Sequence, residues 1–215
     1  MKLPQENSAY SVAVKFARYT ARKLRTNGRT AMANDLVSMA LGLRAKGRSW
    51  EDAEDAVQDA LADRDSADDG LDATAQSGRN TLAGRSVTAA REEPYTLIYP
   101  EGIGHYIAAP QDAEVARYTE LKRRVELNLP EGDPVRAQTA LGITTGLAAF
   151  SGGVAALDAA ETSKSLARTE LERANRNLRR QLEKTYGVLV TELGKQSAER
   201  FFPKAAKNRK PEDGE

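Results

Sequence analysis

Residues 49–85 read SWEDAEDAVQDALADRDSADDGLDATAQSGRNTLAGR. Within this stretch Ala53, Val57, Leu61, Arg64, Asp68, Leu71, Ala75, Gly78 and Leu82 follow one another in steps of three or four residues. That is the period of a helix with one inward stripe, and a strand, whose period is two, has no use for it. Two members of the stripe are charged. Gly70, Gly78 and Gly84 each cost about 1 kcal/mol against Ala inside a helix, so the second half needs packing to hold its form.

The rest of the composition agrees with that reading. Alanine numbers 35 and leucine 21, whereas valine and isoleucine together number 15. Strong helix formers therefore outweigh the β-branched residues that favour sheets. At 215 residues the chain is long enough for one large core or two small ones.

Working outward, the spacing of Ala9, Ala13, Phe16, Thr20 and Leu24 predicts a first helix over 8–26, ended by Asn27-Gly28. A second is expected over 30–45, stopped by Gly47, and Ser49 is placed to cap a third running from Trp50 towards Arg91. A fourth is expected over 112–127. Asp133 caps and Pro134 opens a fifth that reaches about Phe150. Ser151-Gly152-Gly153 reads as a turn before a long sixth helix over 154–194. The fold expected is all-α, a bundle of about six helices, two of them long, with a short irregular or β-hairpin linker around 95–107. The hairpin is suggested by β-branched and aromatic residues flanking Pro100-Glu101-Gly102.

Residues 1–94 and 111–202 then form two similar halves packed as one body, joined by a linker at 95–110 and followed by a flexible tail at 203–215. Ala17-Arg18-Tyr19-Thr20 recurs as Ala116-Arg117-Tyr118-Thr119, which suggests an internal duplication.

Several chemistries are excluded by inventory. There is no cysteine and a single histidine, His105, so thiolate metal sites and multi-histidine zinc or di-iron sites cannot be assembled in one chain. No cofactor and no metal are expected, and no catalytic residues are assigned. Gly78 to Ser86 superficially resembles a phosphate loop, but the spacing between its glycines is wrong and Arg stands where Lys is required. An enzyme built on paired carboxylates alone needs two acids converging in a cleft with raised pKa values. The N-terminus lacks the apolar core of a signal peptide, so a cytoplasmic protein is expected. Residues 137–157 are uncharged, and Gly142 and Gly146 are spaced as in helix-dimerisation motifs. Only six of those residues are Leu, Ile, Val or Phe, so a buried helix pair is expected rather than a membrane span.

Charge carries the strongest signal. Net charge is +1, yet residues 15–48 hold nine bases against Asp35 alone, and residues 51–72 hold ten acids against Arg64 alone. Residues 164–210 hold 13 bases and five acids, with Arg173, Arg176, Arg180 and Lys184 on one helical stripe. Three arrangements fit: acidic and basic helices neutralise one another within the fold, they meet between chains, or the stripe and the KAAKNRK tail bind nucleic acid. Tyr95, Tyr99, His105 and Tyr106 form either a recognition patch or an apolar seal on the core. The function expected is a non-enzymatic structural or interaction protein that self-associates as a homo-oligomer or docks a protein partner. Nucleic-acid binding through the basic stripe is the alternative.

Overall fold

Gly47 does not stop a helix. In the computed structural model, which describes residues 3–4 and 8–204, it lies within a single helix, α2, spanning Thr30–Ala83. A methyl group at Gly47 would fall inside the Tyr10 ring, so the missing side chain makes room for a neighbour. Ser49 caps nothing either: its hydroxyl donates to the Ala45 carbonyl one turn back, at 3.2 Å. The expected break at 46–49 is therefore absent, and the second and third helices are one.

The same correction applies later in the chain. Ser151-Gly152-Gly153 is interior to α6, which runs Pro134–Leu193 without interruption. A Cβ at Gly153 would approach Arg64 Cα to 2.9 Å, one at Gly146 would meet Leu71 at 2.6 Å, and one at Gly78 would meet Thr139 at 2.6 Å. As residue numbers rise along α6 from 139 to 153, the partners on α2 fall from 78 to 64. These segments run antiparallel, and the glycines let them close up.

The other helices are α1 (Tyr10–Thr26), α3 (Tyr95–Ile98), α4 (Gly104–Ile107), α5 (Gln111–Asn128) and α7 (Lys195–Ala198), with 3₁₀ turns at Ala89–Arg91 and Glu199–Phe201. Among the described residues there is no strand, and the fold is all-α. The hairpin expected around 95–107 is instead two one-turn helices. Its aromatic and β-branched side chains face a core: Ile98, Tyr99 and Tyr106 are all buried. The expected tail at 203–215 lies outside the described residues beyond Lys204.

Two compact units emerge, and each draws on both halves of the sequence. Unit 1 comprises residues 1–54 and 162–215, and unit 2 residues 55–161. In unit 1, Ala17 and Leu24 of α1, Leu36 and Leu43 of α2 and Leu178, Leu182 and Leu189 of α6 share one core with Ala198, Phe201 and Phe202. Gly28, at φ +76°, turns the chain between α1 and α2, where a side chain would be strained. In unit 2, Leu71, Ala75 and Leu82 pack with Ile98, Tyr99, Tyr106, Tyr118, Leu121, Ile143 and Phe150. Asp133 caps α6 as expected, its Oδ1 accepting from the Val135 amide at 2.9 Å.

The repeated tetrapeptide occupies unlike positions. On α1, Ala17 and Thr20 are buried and Tyr19 is exposed; on α5, Tyr118 is buried and Ala116 and Thr119 are exposed. Equivalent residues in a duplication turn the same way, so the match carries no shared packing.

Candidate interaction surfaces and a buried carboxyl pair

The sorted charges divide by unit. Unit 1 holds 23 basic and 13 acidic side chains, an excess of ten positive; unit 2 holds nine basic and 18 acidic, an excess of nine negative. A chain that is neutral in total is thus strongly polarised.

In unit 1, Arg173, Arg176, Arg180 and Lys184 are all exposed along α6, and Lys15, Arg18, Arg22 and Arg25 are exposed on α1. The Glu170 carboxyl is held below its ordinary range, chiefly by its bond from Lys46, with a smaller contribution from Arg173. In unit 2, Asp55, Asp59 and Asp63 project from successive turns of α2 and are exposed. Among the described residues none of the three forms an ion pair.

Internal neutralisation was the simplest expectation for the acidic block at 51–72, and the structure offers little of it. Among the described residues its one ion pair with a basic helix segment is Lys164–Glu54, at 2.8 Å within unit 1. Arg64 reaches only its neighbour Asp65, at 2.5 Å. The other pairs in unit 1, Lys46–Glu170 and Arg29–Glu192, use acids outside the block.

The uncharged run of α6 departs from expectation too. Its most apolar 18-residue window has a mean hydropathy of 1.6, long and apolar enough to cross a membrane, and only 11% of that window is buried. Thr139, Ile143 and Phe150 form the inward stripe. Leu141, 69% exposed, faces away with Ala148, Ala149 and Ala155.

The tyrosine segment is interior to unit 2. Tyr99 donates to the Ala75 carbonyl at 3.2 Å and Tyr106 to that of Ile98 at 3.2 Å. Burial raises both phenols, Tyr106 less far because Arg124 is close. Tyr95 and His105 are half-buried at the edge: Arg79 donates to the Tyr95 hydroxyl at 3.0 Å, and His105 Nδ1 lies 2.9 Å from Glu101.

Sequence reasoning missed the most perturbed group. Glu114, on α5, is 3% exposed. Its carboxyl is raised from 4.5 to about 8, first by burial, then by its hydrogen bond with Asp68 and by the charges of Asp68 and Asp72, with Arg64 opposing. Two carboxyls sharing one bond need one proton between them. Beside them Tyr118 donates to Asp72, and both groups are raised by burial, the phenol also by accepting this negative neighbour. Asp68 was visible in sequence as a charged defect in the stripe. Its partner lies 46 residues away, and no local pattern marks it. Among the described residues no cluster of three or more Asp, Glu or His side chains has the arrangement of a metal site.

Comparison with protein-family models, with curated proteins and with solved structures gives no match.

Proposed function

We propose that this chain is a non-enzymatic, cytoplasmic structural or interaction protein that associates with further copies of itself, the basic unit 1 of one chain meeting the acidic unit 2 of another. The observation that carries this is the opposite net charge of the two units, with exposed acids that find no cation within the chain. Complementary patches steer association and fix register more than they supply affinity. The exposed uncharged face of α6 supplies the apolar area such a contact needs.

A head-to-tail contact between unlike surfaces closes into a ring or extends into a chain of subunits, depending on the rotation between copies. Light scattering across a salt series tests the proposal. Oligomers are expected at low salt and monomers once the screening length shrinks to a few ångströms. Asp55→Lys/Asp59→Lys/Asp63→Lys alone is expected to be monomeric. Mixed with Arg173→Glu/Arg176→Glu/Arg180→Glu, it is expected to assemble again. A monomer at every salt concentration overturns the reading, and recovery in detergent or lipid instead of self-association assigns the α6 face to a membrane.

The exposed row Arg173, Arg176, Arg180 and Lys184 favours one second reading, binding of a nucleic-acid backbone. Retention of duplex by the parent but not by the triple Glu variant, falling with salt, is its signature. An activity based on Glu114 and Asp68 is disfavoured, because Glu114 is sealed in the interior of unit 2 and lines no cleft.

A further inference from the structure

Unit 1 contains a cavity of about 850 Å³ beside the start of α1. Its walls include Tyr10, Trp50, Arg168, Leu171, Asn175 and Arg176. That volume suits a ligand of a few residues or of drug size.

Two wall atoms are anomalous. Trp50 Nε1 and Asn175 Oδ1 are shut off from solvent and, among the described residues, hydrogen-bond to nothing. Buried polar atoms in native proteins are nearly always paired, since an unpaired one keeps the full cost of losing water. One of these is a donor and the other an acceptor. Both belong to residues of the same cavity wall.

The surrounding charges decide what fits. Arg168 is engaged by Glu172 at 3.1 Å, and the Glu51 carboxylate accepts from the Tyr10 hydroxyl at 2.8 Å. Arg176 forms no ion pair among the described residues. The first turn of α1, which adjoins the cavity at Ser8 to Ser11, contains no acid, and its N-cap residue Ala9 makes no side-chain cap bond. The unspent groups are therefore one cation, one N–H donor, the positive end of a helix and one amide acceptor, set around the apolar surfaces of Leu171, Trp50 and Tyr10.

We infer that this cavity binds an N-acylated amino-acid carboxylate with an apolar side chain, as at the free carboxy-terminus of a peptide. The carboxylate is received by Arg176 and the Trp50 N–H, the ligand amide N–H donates to Asn175 Oδ1, and the apolar side chain lies on Leu171. Tyr10 is a wall held in place by the notch at Gly47. The site is independent of self-association, since neither observation behind it concerns a second copy.

Trp50 is the only tryptophan of the chain, so its fluorescence reports on this cavity alone. The probes are N-acetyl-leucine and an N-acetylated tetrapeptide ending in leucine, each as free acid and as carboxamide. Saturable emission changes are expected with the free acids, and binding about tenfold weaker with the carboxamides. Arg176→Gln is expected to weaken the acids by a similar factor and leave the carboxamides unchanged. Trp50→Phe, followed by calorimetry, is expected to weaken both. Tighter binding of the tetrapeptide than of N-acetyl-leucine identifies a peptide terminus as the occupant; equal binding identifies a free acylamino acid. No saturable change with either acid, equal affinity for acid and carboxamide, or an unaltered Arg176→Gln overturns the inference.

Discussion

Both units are built on segments of α2 and α6, yet their interiors are chemically unlike. The core of unit 1 is alanine, leucine, valine and phenylalanine, with Thr20 and Thr185 as its buried polar residues. The core of unit 2 holds Tyr99, Tyr106 and Tyr118 together with Glu114 and Thr139. An apolar interior depends on volume alone, and its stability is insensitive to proton concentration. A polar interior depends on each donor finding its acceptor, which specifies one arrangement but ties that arrangement to pH. Both solve the same problem, how to fill the space left by two long antiparallel helices whose facing residues are small.

The sharpest way to break unit 1 is therefore to remove volume. Leu178 is fully buried among the leucines of α2 and α6. Leu178→Ala is expected to cost about 2–5 kcal/mol in chemical denaturation, the range for a large-to-small change that leaves a cavity. The matching experiment in unit 2 removes a single atom. Tyr118→Phe keeps the ring and deletes the hydroxyl that donates to Asp72. The expected loss is about 1–3 kcal/mol, the cost of leaving a partly buried acceptor unpaired. If Leu178→Ala costs less than Tyr118→Phe, the contrast between a volume-held and a bond-held core is wrong.

Protons separate the units further. The Glu114 carboxyl is raised from 4.5 to about 8 in the folded chain, so between those values the folded state holds a proton that the unfolded state has released. Its contribution is complete below about pH 4.5 and drains away as pH climbs towards about 8. Glu114→Gln mimics the protonated form and keeps a donor for Asp68. It is expected to match the parent in acid and to exceed it by about 1–3 kcal/mol above pH 8, measured by urea denaturation at each pH. Glu170, on the surface of unit 1 and held low by Lys46, has the opposite sign: its support is present above about pH 4.5 and lost on acidification. Glu120 on unit 2, held at about 2 by Arg123 and Arg124, shares that sign, so the alkaline weakening is specific to the buried pair. A parent whose stability is flat from pH 5 to 8 removes the proton-sharing description of Glu114 and Asp68.

What could be read in advance follows from the range of each signal. The α1 stripe and the 53–82 stripe are local periodicities, and both mark the faces that pack inward. The Asp133-Pro134 start of α6 is local as well. The stops expected at Gly47 and at 151–153 failed because glycine serves two purposes. It ends helices, and it also admits a neighbouring helix or ring, and only the neighbour distinguishes the two. The hairpin expected around 95–107 failed because Tyr and Ile favour strands only on average; here Tyr99 and Tyr106 find carbonyl acceptors in a helical core. The basic stripe was legible as a helical face, whereas the partition of charge between units was not. It follows from which segments of α2 and α6 pack together, and the orphaned pair Trp50 and Asn175 belongs to the same class of non-local fact.

The two roles of glycine yield the smallest and cleanest test. Gly42 in unit 1 and Gly70 in unit 2 lie on α2 where an added Cβ would meet nothing within 4 Å. At such sites alanine restricts the unfolded chain and costs the folded one nothing, so Gly42→Ala and Gly70→Ala are each expected to stabilise by about 0.5–1 kcal/mol. Gly146, also in a helix interior, would bring its Cβ to 2.6 Å from Leu71. There the same substitution forces a buried leucine out of its place, and the propensity gain is expected to be outweighed by about 1–3 kcal/mol of overpacking. Thermal denaturation of the three variants reads the difference as a sign. If all three stabilise, α2 and α6 have room to spare in unit 2, and the glycines of α6 are there for some reason other than close approach.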